Sequence, residues 1–341
     1  MSKTLITGGC GFIGSHIVQE FLANEVDVVC LVKSSSDTSF LNSLNVELVT
    51  GDITDIDSIV SALAGIDYVV HAAGKSSDWG RYQDFYNANV LGTMNILKAC
   101  RKCGINDLTI TGSISSYGEE NSRTVKDENS PYKSHYSYFG FFPSAMNYYR
   151  DTKAELTRQS IAFARRNAMN LTVIEPVWVY GEREFHTGFY EYIKAVGNGM
   201  SFAPGSQTNR FHVVYAKDLA KAYYLAYAKR LNGVSRMIIG QPRTVLLDDV
   251  YRLFCKEAGL KKPTSLPKWL VYPLGFALEA LYTLLHSASP PILTRARVNM
   301  MYDNIEYSTE KAKNMLGFVA GTSLETGIKN TVNWYRTNGY L

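Results

Sequence analysis

One octet, Thr7-Gly8-Gly9-Cys10-Gly11-Phe12-Ile13-Gly14, constrains this chain more than any other feature. It follows the apolar run Lys3–Thr7 and opens the helical pattern Phe12–Ala23, so its glycines fall at a strand-to-helix turn. Glycine permits a tight turn there, lets backbone approach a pyrophosphate and lets helix pack closely on strand. The helix N-terminus then offers N–H groups and a positive dipole end to phosphate. Glycine-rich turns also arise for steric reasons alone, so context decides. Here the context is an alternation. Val28–Val32, Val46–Val49, Tyr68–His71 and Leu108–Thr111 have the pattern of further strands, with helical patterns at Ile56–Ala64 and Tyr82–Cys103 between them. Such alternation implies right-handed βαβ units and a parallel sheet covered on both faces.

An aromatic stretch, Ser116–Pro143, comes next, then a helical pattern from about Ser144 to Arg166 and a strand at Leu171–Glu175. The second half is less regular. Helices are expected at Phe185–Val196, Lys217–Lys229, Asp248–Ala258, Ser308–Leu316 and Leu324–Thr337, and strands at His212–Val214 and Arg236–Ile239. Trp269–Leu285 is the most apolar segment, interrupted by Pro273, Gly275 and Glu279. A net charge of +4 over 341 residues gives no basic footprint for nucleic acid. Five cysteines form no disulfide framework, and the lone Cys100-x-x-Cys103 has neither a second pair nor a clustered histidine to complete a metal site. The first residues contain no signal-peptide apolar core, so a reduced, cytoplasmic compartment is expected.

Three places carry candidate chemistry. A dinucleotide-binding second strand ordinarily ends in an acid that holds the ribose 2′-hydroxyl of NAD. Here that slot is Val32, followed by Lys33-Ser34-Ser35-Ser36. An ammonium with hydroxyls suits a 2′-phosphate, so NADP is expected in preference to NAD; a solvated lysine on a polar turn would leave the same sequence. After the third strand, Asp52 could accept from an adenine amino group, with Ile53 beside it, or simply cap the helix beginning near Asp55. In the long helix, Tyr149 and Lys153 stand at i and i+4, on one face. A lysine cation beside a phenol favours the phenolate and makes the tyrosine usable as an acid or base near neutrality. Tyr148 lacks that spacing.

Taken together these features resemble the extended short-chain dehydrogenase/reductase family, also called the NAD-dependent epimerase/dehydratase superfamily, over almost the whole chain. The glycine octet, Asp52, His71-Ala72-Ala73-Gly74, Asn89-Val90-Leu91-Gly92-Thr93, Thr111 to Gly118, Tyr149/Lys153 and Pro176-Val177-Trp178-Val179-Tyr180-Gly181 match in order. The resemblance implies a Rossmann-type doubly wound α/β sheet over 1–175. A smaller, discontinuous substrate domain would occupy most of 176–341, with some segments returning to the sheet. It implies Ser113, Tyr149 and Lys153 as catalytic residues, supported by Asn89. The cofactor would touch Gly8, Gly11, Phe12, Ile13, Gly14, Lys33, Asp52, Ile53, Ala72, Ala73, Gly74, Pro176 and Val179, besides Tyr149 and Lys153. Two departures stand out: Gly112 replaces the family's serine before Ser113, and Glu175 replaces its arginine before Pro176.

Within the family, the nucleotide-sugar branch would place a diphosphate-binding arginine at Phe211; Arg210 is one position early. Asn209, Leu31-Val32-Lys33-Ser34-Ser35-Ser36-Asp37 and the ending Pro290–Arg295 with Tyr307–Phe318 are similar to the branch of 3β-hydroxysteroid dehydrogenases and dihydroflavonol reductases. That likeness implies hydride transfer between NADP or NAD and a secondary alcohol or ketone of a bulky, mostly apolar substrate. A sugar epimerase or dehydratase with tightly held NAD, and a catalytically silent nucleotide-binding protein, are the alternatives. Trp269–Leu285 is too short and too interrupted to span a bilayer. It is expected to wall the substrate pocket together with Tyr132–Phe142, the alternatives being a membrane-surface patch or a core helix. By resemblance alone, the helices around Tyr82–Cys103 and Ser144–Arg166 would pair two copies as a homodimer.

Overall fold

Leu5 and Ile6 are neighbours in sequence yet belong to two different apolar cores, as a strand covered on both faces requires. The computed structural model describes residues 2–118, 124–135, 137–138, 142–144, 146–185 and 188–341. Its central sheet is built from β1 (Lys3–Thr7), β2 (Asp27–Val32), β3 (Glu47–Thr50), β4 (Tyr68–His71), β5 (Asp107–Thr111), β6 (Asn170–Pro176) and β7 (Val234–Ile239). All pairings are parallel, in the order β7-β6-β5-β4-β1-β2-β3. The chain winds outward from β1 to β3, then returns to the far side of β1 and winds out again. The strand order therefore reverses between β1 and β4, where ligands of open α/β sheets bind, beyond the carboxyl ends of the strands.

Side chains segregate with period two. Ile6, Val28, Cys30, Tyr68 and Val70 join the first core with α1 (Phe12–Ala23) and α5 (Ala216–Lys229). Leu5, Val29, Leu31, Val69, Leu108 and Ile110 join the second with α2 (Ile56–Ala62), α3 (Gly92–Lys102) and α4 (Met146–Arg166). The second half of the chain packs into the first core. Trp178–Tyr180 pairs in parallel with Val213–Tyr215, and Arg210–Phe211 pairs antiparallel with Val245–Leu246. Val179, Tyr180, Phe211 and Val213 are all buried there. Around them lie α6 (Leu247–Ala258), α7 (Lys268–Leu284), α8 (Arg295–Tyr302) and α9 (Leu324–Thr337).

Three expectations change. The pattern Tyr82–Cys103 is not one α-helix: a π-helical segment, Tyr86–Leu91, lies between Tyr82–Phe85 and α3. The helix expected from Phe185 begins at Phe189, after the left-handed Gly188. And Trp269–Leu285 is unbroken. Pro273 lies inside α7; the amide it lacks would have met the carbonyl of Trp269, in an exposed first turn that solvent reaches.

Helix α7 buries Val271, Gly275 and Glu279, while Leu270 and Leu274 are about half exposed, so the core-helix alternative fails. What holds α7 is a buried ion pair: Arg295 Nε donates to Glu279 Oε2 at 2.8 Å, the Arg295 amide donates to the same oxygen at 3.0 Å, and the guanidinium lies over the Phe276 ring. Removing one member of such a pair strands the other charge in the interior. Glu279→Ala should therefore destabilise the protein by about 3–5 kcal/mol, read as a lowered urea midpoint. An unchanged midpoint would contradict this account of α7.

Candidate active site

Backbone geometry prepares the crevice between β1 and β4 before any reactive side chain enters it. Gly8 has φ +77°, and a Cβ there would lie 2.6 Å from the amide nitrogen of Ala73. A Cβ on Gly14 would lie 2.0 Å from the Gly8 carbonyl oxygen. Only glycine lets β1, the turn and α1 converge so tightly on Ala72 and Ala73. The N-cap of α1, Gly11, makes no side-chain capping bond, and no acid stands in the first turn, so the N–H groups of Phe12 and Ile13 face no competing carboxylate there. This cradle fits the dinucleotide phosphates that the sequence motif implies. Farther out, Lys33 and Asp52 form an ion pair at 3.1 Å. Asp52 also accepts from the Thr54 amide at 2.8 Å. It is Asp55, not Asp52, that caps α2. Ile53 is buried, its carbonyl accepting from Asn95 Nδ2 at 3.1 Å.

The catalytic candidates assemble at the carboxyl ends of β4 and β5. Ser113 is the N-cap of the short 3₁₀ turn Ile114–Tyr117, with its hydroxyl 2.7 Å from that of Ser115. Lys153 is buried and donates from Nζ to the Thr111 carbonyl at 3.0 Å; burial alone pushes its pKa down to about 8. Gly74 gives room on the other side, because a Cβ there would stand 2.9 Å from Asn89 Oδ1 and 3.7 Å from Lys153 Nζ. Asn89 lies in the π-helical segment. Its Oδ1 accepts from the Lys75 amide at 2.8 Å, and its Nδ2 donates to Lys75 O and Thr152 Oγ1, each at 3.1 Å. It therefore joins the loop after β4 to the residue preceding Lys153. The two adjacent tyrosines separate cleanly. Tyr148 packs edge-on against Tyr82 at 5.7 Å and near Phe85 at 6.5 Å, which leaves Tyr149 on the face that carries Lys153.

Other side chains support these, one from a quoted motif and two from outside any motif. His71 spans β4 and the helical layer, Nδ1 lying 2.7 Å from Thr7 Oγ1 and Nε2 3.0 Å from Thr93 Oγ1. Burial, with Lys153 adding to it, pushes its pKa down to about 3, so the ring is neutral. Tyr223 of α5 meets Thr111 Oγ1 at 2.7 Å. Arg183 donates to Ser15 Oγ at 2.9 Å and Gln19 Oε1 at 2.7 Å and stacks on Phe40, clamping α1 from the second half of the chain. Tyr223 and Arg183 have partners from distant segments, so no local spacing could have marked them.

The two departures from the family pattern are one compensated change. The Tyr117 hydroxyl donates to Glu175 Oε2 at 2.5 Å, and that of Tyr132 donates to Oε1. The cation comes from the neighbouring strand, Arg236, whose guanidinium lies over the Tyr132 and Tyr117 rings at 4.9 and 5.8 Å. Glu128, also close by, accepts from Arg236 through its carbonyl and from the Ile238 amide through Oε1 at 2.7 Å. Gly112 makes room for this arrangement, since a Cβ there would lie 2.8 Å from Glu175 Cγ. Thus Glu175 ties down the turn that begins at Ser113. Of the aromatic wall expected over Tyr132–Phe142, Tyr132 belongs to this network; its other aromatic side chains lie outside the described residues.

Pro176 ends β6, and Val179 pairs with Val214. Phe211, the position a sugar-binding arginine would occupy, is buried against Trp178 at 5.4 Å, while Arg210 is exposed and pairs with Glu306 at 3.8 Å. A surface hollow of about 660 Å³ lined by Arg210, Thr244, Asp249 and Arg252 shares no residue with Ser113, Tyr149 or Lys153. Among the described residues no cluster of metal-ligating side chains occurs and no helix is long and apolar enough to cross a membrane.

Comparison with known proteins agrees with this geometry. A family model, the NAD dependent epimerase/dehydratase family, matches residues 4–240. The 2-alkyl-3-oxoalkanoate reductase of Shewanella oneidensis is 26% identical, over 96% of this chain and 85% of its own. The decarboxylating sterol-4-alpha-carboxylate 3-dehydrogenase of Saccharomyces cerevisiae is 26% identical over 98% of each chain. Among solved structures, the crystal structure of gox2253 superposes with a TM-score of 0.82 at 24% identity, covering all of both chains, and so shares the fold.

Burial raises the Glu175 pKa to about 7, against the pull of Arg236 and the two hydroxyls. The native state therefore binds this proton more tightly than the unfolded chain, and the stabilisation present at low pH is lost as pH rises toward 7. Relative to Glu175→Gln, wild type should lose stability between about pH 5 and 7, as measured by urea midpoints at four pH values. Parallel curves would refute it.

Proposed function

Because this chain belongs to the NAD dependent epimerase/dehydratase family, we propose that it is an oxidoreductase moving a hydride between NADP(H) and a secondary alcohol or ketone on a bulky, largely apolar substrate. The observation that carries this reading over a sugar epimerase is Phe211. Its buried ring, packed on Trp178, fills the place where a sugar diphosphate would need a cation. Arg210 cannot substitute, because successive strand residues point to opposite faces. The two curated relatives point the same way by name, one acting on an alkyl oxoalkanoate and the other on a sterol carboxylate.

When bound, the nicotinamide supplies or accepts the hydride. Gly8, Gly11, Gly14 and the first turn of α1 would hold the phosphates, and Lys153 the ribose. Ser113 donates a hydrogen bond to the substrate oxygen as charge develops on it. Tyr149 delivers the proton to that oxygen in reduction and removes it in oxidation. Lys153, held by the Thr111 carbonyl, places its positive charge beside Tyr149 and favours the phenolate. Asn89 and Gly74 keep the Lys153 approach open. Support for NADP over NAD is the buried Val32 at the end of β2 and the Lys33 ammonium beyond it, whose partner Asp52 is exposed enough to release it. A charge-assisted contact is worth about 1.5–3 kcal/mol, roughly ten- to a hundredfold in affinity.

A single panel tests the reading. Reduced and oxidised forms of both cofactors are offered with 2-alkyl-3-oxo acids, 3-keto and 3-hydroxy steroids and UDP-sugars, with turnover followed at the nicotinamide absorbance. Turnover should be faster with the NADP pair, improve as methylenes or rings are added, and Lys33→Ala should erase the cofactor preference. Equal use of the two cofactors would defeat the NADP assignment, and UDP-sugar binding with a flat response to chain length would restore the epimerase. With an active substrate in hand, Tyr149→Phe should lower kcat by about 10²–10⁴-fold and leave cofactor affinity intact. Tyr148→Phe should change little; the reverse ranking would move the catalytic role to Tyr148.

A further inference from the structure

Helix α7 is built inside out. Its one acid, Glu279, is 1% exposed and points into the body, whereas Trp269 and Leu284 are 76% and 73% exposed, and Leu270, Leu274 and Leu281 about half. A helix on an aqueous surface arranges these residue types the other way. The orientation is locked from within. Val271, Gly275 and Glu279 recur every fourth residue on the inner side. Gly275 brings α7 against α8, since a Cβ there would lie 3.1 Å from Val298 Cγ2. The Glu279–Arg295 pair prevents the helix from rolling its leucines inward without stranding a charge. Beyond the helix, Leu285 and Ile292, 68% and 76% exposed, enlarge the same apolar surface.

The chemistry of this surface selects its occupant. The outward stripe Leu270, Pro273, Leu274, Ala277, Leu281 and Leu284 carries no hydrogen-bonding side chain. The nearby Thr283 hydroxyl turns back to the Glu279 carbonyl at 2.7 Å. Protein partners normally meet through about one hydrogen bond per 100–200 Å², whereas acyl chains need none. At the first turn Trp269 adds an exposed amphipathic ring of the kind enriched where an apolar layer meets water, while Lys268 turns back to Asp303 at 2.7 Å. We propose that α7 lies in the surface of a lipid bilayer, its axis in the membrane plane and its leucines among the acyl chains, as an attachment that does not span.

The attachment would sit beside the candidate active site. The loop that leaves Gly74 and Lys75 reaches α7 directly: Trp79 Nε1 donates to the Ser287 carbonyl at 2.9 Å, its ring meets Tyr282 edge-on, and Asp78 pairs with Arg297 of α8. An apolar substrate dissolved in the bilayer would enter next to this loop, a consequence that rests on the proposed function; the attachment itself does not.

The test uses the whole protein with phosphatidylcholine vesicles, floated on a density gradient, and with the same lipid brominated on its acyl chains. Wild type should float, and the brominated lipid should quench part of its tryptophan fluorescence, a quench lost in Trp269→Phe. Leu274→Lys with Leu281→Lys should weaken flotation by at least about tenfold, with circular dichroism and cofactor titration unchanged. Wild type remaining in solution with both phosphatidylcholine and phosphatidylcholine/phosphatidylserine vesicles would overturn the proposal. So would a sedimenting dimer split by the two lysines, which would assign the face to a second copy. Should the lysine variant misfold, the wild-type quench and its loss in Trp269→Phe still decide. Flotation without turnover on any apolar ketone would instead sink the substrate reading and leave the attachment standing.

Discussion

Everything in this molecule is arranged around one close approach of backbone to backbone, where Gly8 leans on the Ala72–Ala73 peptide and Gly14 closes over the Gly8 carbonyl. That contact brings the carboxyl ends of β1 and β4 together at the point where strand order reverses, and it aims the open N-terminus of α1 into the gap. A single methyl group at either glycine would separate the elements by more than side-chain adjustment can absorb. The phosphate cradle, the position of Gly74 next to Lys153, and the path of the loop after β4 all follow from it.

Around this contact the protein buries several polar groups in matched networks. Neutral His71 bridges Thr7 and Thr93, Asn89 satisfies both backbone groups of Lys75, and Glu175 collects two phenol hydroxyls with Arg236 beside them. A buried polar group left unmatched is costly, so each such network tolerates few alternative geometries. Here the networks converge on the segments carrying Ser113 and Lys153, which suits residues that must be held still. The same logic operates at the other end of the molecule, where the Glu279–Arg295 pair holds α7 with its leucines outward.

Much of the fold was legible because both faces of the sheet are apolar and the connections are regular. β1 and β4 have the bounds expected, β2 and β5 begin one residue earlier, β3 is shifted by one residue, and β6 is one residue longer at each end. Where legibility failed, the reasons are local. A π-helical turn keeps the hydrophobic pattern of an α-helix and shifts its register by one bond, so Tyr86–Leu91 looked continuous with its neighbours. Pro273 looked like a break because a proline removes a helix hydrogen bond, but the carbonyl left without it, that of Trp269, lies in an exposed first turn. The glycines and the Tyr149/Lys153 pair were marked by spacing and Asn89 by the family resemblance, whereas Tyr223, Arg183 and Arg236 reach the site from residues far along the chain.

By itself, then, the sequence determined what depends on near neighbours: the period-two strands, the glycine turn at the head of α1, and the i, i+4 placement of a phenol and an ammonium. Tertiary structure decided what depends on partners distant in sequence. It made Glu175 and Gly112 a compensated pair instead of two anomalies, by supplying Arg236, Tyr117 and Tyr132 from three other segments. It also decided which side of α7 faces out. Hydrophobic periodicity gives a helix an apolar side but cannot say whether the body or the surroundings will cover it. That choice went to Arg295, whose buried charge requires Glu279 inside and so leaves the leucines exposed.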